Sequence, residues 1–335
     1  MSNTPTLAES APNHSFRAPW MRRLAPLGRW IVPPLVTVFM ASLLIFTALS
    51  LAPGDPAAKL VGARATQEQL QAAREHLGLD QPIVQRYGVW VGHALRGDLG
   101  MSTTYRTDVS SLVWARVPTT LFLVTYAGIL VVLLGISLGI LGTVSRRAAP
   151  FVATFTGIGI AIPSYVAAGG MVSLFAVNLG WFPVLGAGEG FTDRLWHSTL
   201  PAVSLAIGWS AYVTQITWAS LREEQSREHV QTARGRGIKS GAVFRRHVLR
   251  NAAVPIITAS GLTVAGLMAG AVVVEEAFGI DGIASFLVTS VQNKDYNVVE
   301  AISILLVLVF VIVTTGLDAL HTLLDPRLRD SRDRR

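Results

Sequence analysis

Six apolar stretches, each long enough to cross a lipid bilayer, constrain this chain more than any other feature of its sequence. A bilayer-spanning helix needs about 20 mostly apolar residues, because the hydrocarbon core is about 30 Å thick. The stretches cover residues 31–52, 117–144, 151–177, 198–220, 253–278 and 298–324, and the fourth is the least apolar. Charged residues make up only 15% of the chain, against about 25% in a typical soluble domain. The sequence therefore predicts an all-α integral membrane protein with six transmembrane helices.

The arginines and lysines predict the orientation of these helices, because basic residues concentrate in cytoplasmic loops. Of the 28 basic residues, 19 fall on one side, in residues 1–30, at Arg146 and Arg147, in residues 221–252 and in residues 325–335. The short loops on the other side hold only Arg194 and Lys294. We therefore expect a cytoplasmic N-terminal lead (1–30), a cytoplasmic loop (221–252) and a cytoplasmic tail (325–335).

The polar segment 53–116 is predicted to form an external loop domain between the first span and a core of five spans, residues 117–324. Its seven basic residues do not oppose this, since long loops cross the membrane largely regardless of charge. The motif Pro53-Gly54-Asp55-Pro56 ends the first span, because proline cannot continue a helix. Within the loop, a helix is predicted from Thr66, as N-cap, to Leu77, with Gly78 as its stop.

No motif indicates an enzyme. A nucleotide-binding P-loop needs a glycine followed by a lysine ahead of a helix, and none of Lys59, Lys239 and Lys294 follows a glycine. The letters G-x-S-x-G occur at Gly135–Gly139, but a nucleophile elbow requires a strand-turn-helix at an aqueous surface. Packing of small residues between helices is the favoured interpretation. Any ATP would therefore be hydrolysed by another subunit.

Metal and nucleic-acid sites are not predicted either. The chain has no cysteine, and none of its seven histidines begins an H-E-x-x-H motif, so the usual metal-ligand patterns are missing. The net charge is +7, but basic nucleic-acid binders gather their charge on a soluble face. Here the charge lies between apolar spans, where membrane orientation explains it.

Four carboxylates fall within the predicted spans: Glu275, Glu276 and Glu300 near outer ends, and Asp318 near an inner end. Intramembrane carboxylates can form a proton or ion relay. Because all four lie near an interface, carboxylates within reach of water are the favoured interpretation. A secondary carrier would normally have an ionisable residue at mid-depth, and a membrane sensor would need a soluble output domain. The sequence contains neither feature.

The fourth span carries a polar face formed by Ser210, Thr214 and Thr217, which recur at helical spacing. Such a face indicates either the lining of a path for a polar solute or hydrogen bonds between packed helices. Both interpretations remain open, with helix packing slightly favoured.

The most charged short segment, residues 228–255, lies between the fourth and fifth spans. Its first part, 228–236, predicts a short helix with Val230 and Ala233 on one side, and Gly235, Gly237 and Gly241 interrupt the helix beyond it. A short helix held between two spans is suited to docking a partner. The alternative is a solvated basic loop near anionic lipid, and the physical argument favours neither.

Several motifs follow one another along residues 30–329. They are Gln231-Thr232-Ala233 with Gly237, Arg246–Pro255, Pro53–Pro56, Leu77–Pro82, Gly97–Ser102, Arg116–Leu121, Gly270–Glu275 and Leu324–Arg327. The first two resemble the cytoplasmic "EAA" loop of ABC importer permeases, and all of them together resemble most closely the B-type permease of the dipeptide/oligopeptide/nickel branch. The combination is highly specific. Gln231 stands where the general family pattern has Glu, and Thr232 where it has Ala.

The resemblance implies a type I importer permease fold and a coupling helix that docks on an ATP-hydrolysing subunit. The docking residues it implies are Glu228, Val230, Gln231, Thr232, Ala233, Arg234 and Gly237. It also implies a bacterial inner-membrane complex with a second, similar permease, one or two ATPase subunits and an external solute-binding protein. ATP and Mg²⁺ would be bound by the ATPases and no cofactor by this chain. The expected substrates are di- or oligopeptides, with nickel chelates, glutathione or another small polar solute as the alternative.

Overall fold

The computed structural model describes residues 19–52, 56–62, 64–76 and 78–324. Within these residues every regular element is a helix, and an isolated bridge joins Met101 to Asp108. The α-helices are α1 (Pro19–Ser50), α2 (Pro56–Val61), α3 (Gln67–His76), α4 (Ile83–Ala94), α5 (Val109–Val144), α6 (Ala149–Ala161), α7 (Ser164–Met171), α8 (Gly190–Ser226), α9 (Glu228–Gly235), α10 (Ser240–Val243), α11 (Arg250–Ala277), α12 (Ile283–Gln292) and α13 (Tyr296–Leu324). Two π-helical segments, Val172–Asn178 and Phe244–Leu249, follow α7 and precede α11. The all-α prediction is confirmed.

Within the described residues, four helical segments are long and apolar enough to span a membrane, and a bent pair makes a fifth. The four are Ile31–Ser50, Val109–Val144, Ser240–Ala277 and Tyr296–Leu320. Helix α8 is 37 residues long, but it is more polar and is not among them. At most five of the six predicted spans are therefore confirmed, and a sixth span at α8 stays a prediction, as does the cytoplasmic position of both termini.

The third predicted span is not one straight helix. Helix α6 ends at Ala161 and α7 begins at Ser164, and the two parts meet at a bend of 105°. Ile162 adopts an extended backbone with ψ of 115°, as expected for a residue before proline, and Pro163 cannot continue the hydrogen bonding of α6. Hydropathy alone predicted a continuous span here because the residues on both sides of the break are apolar.

Helices α5 and α8 are longer than the spans that the sequence predicted there. Helix α5 begins at Val109, since the Asp108 carboxylate caps it by accepting a hydrogen bond from the Ser110 amide, and Pro118 lies inside the helix. Helix α8 extends from Gly190 to Ser226. At about 1.5 Å per residue, each is more than about 50 Å long, which exceeds the thickness of a hydrocarbon core of about 30 Å.

The core of the bundle forms where α5 crosses α8. A Cβ atom on Gly135 would lie 2.6 Å from Cγ1 of Val213, and one on Gly139 would lie 2.5 Å from Cβ of Thr217. Real Cβ atoms do not approach that closely, so only glycine permits this crossing. The G-x-S-x-G letters are therefore a helix-packing patch, as the sequence favoured.

The segment between α1 and α5 contains the predicted helix and two that were not predicted. Helix α3 begins after Thr66, whose amide and hydroxyl exchange hydrogen bonds of 3.0 and 3.3 Å with Gln69, as in a capping box. Helices α2 and α4 were missed. Helix α4 packs on α1, where the hydroxyls of Tyr87 and Ser42 lie 2.7 Å apart in a buried contact. Residues 53–55 and 77 lie outside the described part of the chain.

Candidate functional site

The predicted docking helix exists as α9, Glu228–Gly235, between α8 and α10. One face is buried: Val230 and Ala233 pack in an apolar cluster with side chains from α8, α10 and α11. The other cluster members are Leu221, Val243, Val248, Ala252 and Ile256. Helix α9 is therefore attached by packing to the ends of two long helices.

The opposite face of α9 is open to solvent. Of the predicted docking residues, Glu228, Gln231, Thr232 and Arg234 are exposed, whereas Val230 and Ala233 are buried. The structure thus separates the predicted set into an anchoring pair and an exposed group. Only the exposed group is available to a partner.

Gly237 ends α9 through its backbone conformation. Its φ is +75°, and the two hydrogen bonds of a Schellman motif are present: the Gly237 amide donates to Arg234 O at 3.0 Å and the Ile238 amide to Ala233 O at 3.3 Å. A Cβ atom here would meet nothing within 4 Å, so glycine is favoured by the positive φ and not by lack of space.

Gln231 donates a hydrogen bond from Nε2 to Ser226 O at 3.0 Å. This carbonyl belongs to the last residue of α8, so the side chain links α9 to the end of the preceding helix. A carboxylate could not make this bond, because ionised Glu only accepts hydrogen bonds. The glutamine at this position therefore has a structural role that depends on its amide.

Glu224 is the residue at this site that sequence analysis missed. It is 6% exposed, and its carboxylate contacts three groups: Nδ2 of Asn251 at 2.9 Å, Nε2 of His229 at 3.1 Å and Nε of Arg227 at 3.0 Å. These contacts join α8, α9 and α11. A sequence signal existed: Glu224 is seven residues after Thr217 and three after Leu221, on the same buried face of α8.

The polar face of α8 is buried within the subunit. Ser210 donates to Ile207 O at 2.9 Å and Thr214 to Ser210 O at 2.7 Å, so both bond to their own helix. Thr217 lies against Gly139 of α5. All three side chains are at most 1% exposed. This placement favours helix packing over the lining of an open path.

At the end of the bundle opposite α9, Glu275 caps a short helix. Its carboxylate accepts hydrogen bonds from the hydroxyl of Thr120 at 2.5 Å and from the amides of Ala284 and Ser285, each at 2.9 Å. The last two amides belong to the first turn of α12, which the sequence expected as loop. The expectation of a carboxylate within reach of water is therefore wrong for Glu275, which is fully buried.

Asp295 fixes the segment between α1 and α5 to the start of α13. Its buried carboxylate accepts hydrogen bonds from the Ser102 hydroxyl at 2.5 Å and from the amides of Thr103 and Thr104 at 3.2 and 3.1 Å. Nearby, the Gly100 amide and the His93 ring hold the pKa of exposed Asp98 below its usual range. These bonds attach the loop to the core through residues nearly 200 positions apart.

The described residues contain no cluster of three or more His, Asp or Glu side chains able to hold a metal ion. What they do present is a bundle of membrane-spanning helices and, at one end, a short helix anchored between two of them. These features define a polytopic helical membrane protein with a structured connection between α8 and α11.

Two family descriptions match the chain. "Binding-protein-dependent transport system inner membrane component" matches residues 132–330, and the N-terminal part of the same kind of membrane component matches residues 24–124. The chain belongs to this family: it is a permease component of a binding-protein-dependent ABC importer and a multi-pass protein of the bacterial inner membrane. The family consists of membrane subunits that work with ATPase and substrate-binding partners.

Individual proteins of known class are similar over most of the chain. The "Probable peptide ABC transporter permease protein y4tP" of Sinorhizobium fredii is 33% identical over 308 residues, which cover 90% of this chain and 98% of that protein. The "Glutathione transport system permease protein GsiC" of Escherichia coli is 32% identical over 295 residues, covering 88% and 95%. The resemblance to the peptide branch is therefore confirmed.

A solved structure of the MetNI methionine ABC transporter, in an inward-facing conformation, has a similar fold. The TM-score is 0.54 at 17% sequence identity, and the match covers 64% of this chain and 96% of the other. At this identity the likeness concerns the fold alone.

Proposed function

We propose that α9 is the coupling helix through which ATPase subunits drive this permease. The observation that carries the proposal is its two-sided character: Val230 and Ala233 anchor it, while Gln231 and Thr232 are exposed. A docking element must present a surface and also transmit force. Helix α9 has the exposed face for the first requirement and a packed face for the second.

Transmission requires a rigid connection between docking helix and spans, because coupling acts through an element with two discrete positions. Three features support this in α9: the apolar cluster, the Schellman motif at Gly237 and the contacts of Glu224. Movement of α9 by the ATPases would be passed to α8 and α11 together. The spans would then alternate between inward-open and outward-open arrangements.

We further propose six spans with α8 as the fourth, cytoplasmic termini and an external domain at residues 53–116. The two basic residues Arg146 and Arg147 and the basic segment 221–252 support this orientation. A second, similar permease would complete the translocation path, and a solute-binding protein would deliver the substrate to the external face. ATP and Mg²⁺ belong to the ATPases in this scheme.

Di- or oligopeptides are the proposed substrates. Support comes from the similarity to a permease named for peptides and to one named for glutathione, itself a small peptide. Nickel chelates or another small polar solute remain the alternative.

Affinity purification from the native membrane, followed by mass spectrometry, tests the assembly. We expect a second permease, one or two ATPases and a solute-binding protein whose bound ligand identifies the substrate. Recovery of the chain alone, or as a homodimer, would contradict the proposal.

Because the chain has no cysteine, a single one can be introduced to test docking. Thr232→Cys carrying a photo-crosslinker should capture an ATPase subunit, whereas Thr107→Cys, an exposed position at the opposite end, should not. Equal capture from both positions would contradict docking through α9.

A further inference from the structure

A cavity of about 440 Å³ lies at the end of the bundle opposite α9. It is bordered by the last turns of α1, by α4 and by the first turns of α13, with Phe46, Trp90 and Tyr296 among its walls. Its volume falls within the range of about 300–1,000 Å³ typical of small-molecule sites. The helix-packing and coupling functions described above do not use it.

Glu300 is the residue that gives this cavity a chemical character. Its side chain is 7% exposed and lines the cavity. Among the described residues its carboxylate accepts no hydrogen bond, and the positive charge of Arg86 acts on it without direct contact. The other buried carboxylates on this side differ: Glu275 and Asp295 each accept three hydrogen bonds. A buried carboxylate without a donor is costly, so a ligand that supplies donors would be stabilised here.

A basic residue of the wall suits an anionic group on the same ligand. Arg86 lines the cavity together with Lys294 and Glu75. The Arg86 guanidinium is held 5.8 Å from the centre of the Phe46 ring, a placement typical of a cation–π contact. Arginine binds carboxylate and phosphate groups well because its donors form a planar fork. The cavity therefore combines an acceptor for a cation with donors for an anion.

We propose that this cavity binds a small zwitterion, a primary ammonium group beside an anionic group. The ammonium group would donate to Glu300, and the carboxylate or phosphate would accept from Arg86. Two sources have this chemistry: the free amino terminus and carboxylate of an amino acid or short peptide, and the headgroup of an ethanolamine phospholipid. The proposal does not depend on coupling through α9 or on the transported solute.

The test uses the full chain, purified in nanodiscs of phosphatidylcholine, with binding measured by native mass spectrometry and calorimetry. The probes are dialanine, N-acetyl-dialanine, and short-chain phosphatidylethanolamine against phosphatidylcholine. N-acetylation removes the ammonium group, and choline cannot donate a hydrogen bond. The variant is Glu300→Gln, which keeps the shape and removes the charge, and the control is Glu276→Gln, an exposed carboxylate outside the cavity.

We expect the wild-type chain to bind dialanine, phosphatidylethanolamine or both. Each should bind at least tenfold more tightly than its matched probe without an ammonium N–H group, N-acetyl-dialanine or phosphatidylcholine. Binding of dialanine identifies a peptide source, and binding of phosphatidylethanolamine identifies a lipid source. Glu300→Gln should weaken that binding at least tenfold and Glu276→Gln should not. The proposal is overturned if neither dialanine nor phosphatidylethanolamine binds, or if each binds no more tightly than its matched probe. Both results are measured on the wild-type chain, so they hold even if the Glu300 variant fails to fold.

Discussion

Glu224, in the last turn of α8, accepts a hydrogen bond of 2.9 Å from Nδ2 of Asn251 in the first turn of α11. His229 of α9 approaches the same carboxylate at 3.1 Å. One side chain thus connects the proposed docking helix to the two long helices that flank it in sequence. Any movement of α9 relative to those helices must stretch or break these contacts.

Replacing Glu224 should therefore loosen α9 without preventing membrane insertion. Glu224→Ala removes the carboxylate that Asn251, His229 and Arg227 share, and with it the contacts that join α8, α9 and α11. We expect transport in the assembled importer to fall at least tenfold while ATP hydrolysis continues, measured as solute uptake and ATPase rate in proteoliposomes. Glu223→Ala, an exposed neighbour, is the control. Full coupling in the Glu224 variant would contradict the connecting role.

The end of α9 should be sensitive to a single methyl group at Gly237. An alanine there must adopt φ near +75°, which costs about 1–2 kcal/mol. Gly235→Ala is the matched control, since Gly235 is helical and has nothing within 4 Å of its Cβ position. We expect reduced uptake for the Gly237 variant only. Equal uptake in both variants would show that the turn tolerates another conformation.

A charged side chain introduced into the buried face of α9 should separate this helix from the bundle. Ala233→Arg places a guanidinium in the apolar cluster of Val230 and Leu221, where a charge without a partner is strongly disfavoured. We expect loss of transport and of ATPase coupling with normal amounts of protein in the membrane, measured by uptake and by immunoblotting of membrane fractions. Normal uptake would contradict the anchoring role of this face.

The crossing of α5 and α8 should not accept a side chain on Gly139. Gly139→Ala forces the Thr217 side chain to move, and such overpacking costs about 1–3 kcal/mol. Gly157→Ala is the control, because a Cβ atom there has open space. We expect a lower unfolding temperature for the Gly139 variant alone, measured by a thermal shift assay in detergent.

The capping of α12 should depend on the carboxylate of Glu275. Glu275→Ala removes the acceptor for the Ala284 and Ser285 amides, at a cost of about 1–3 kcal/mol for each buried donor left unpaired. Hydrogen exchange of the α12 amides should then rise, while Glu276→Ala should leave it unchanged. Protected α12 amides in the Glu275 variant would show that the cap is dispensable.

Several features of the fold were predictable because they depend on neighbouring residues. Thr66 and Gln69 are three positions apart, and their capping box defines the start of α3. The glycine at 237 marked the end of α9 for a similarly local reason. By contrast, the break at Pro163 was missed because the apolar residues around it resemble a continuous span.

The sequence predicted that the docking helix exists, but it predicted only some of the residues that attach this helix to the bundle. The spacing of Val230 and Ala233 indicated a buried side, and both are buried. The role of Glu224 depends on Asn251, which lies 27 positions later. No short-range pattern relates those two residues.

The sequence by itself determined the membrane class, the helical content and the position of the short helix between α8 and α11, since apolar length, charge distribution and glycine spacing act locally. Only the tertiary structure decided which carboxylates are bonded and which side chains face a cavity. Glu275, Asp295 and Glu300 look alike in the sequence, but two of them meet donors from distant segments and the third borders a cavity. The reason is physical: a buried charge acquires its partners from chain segments that only folding brings together.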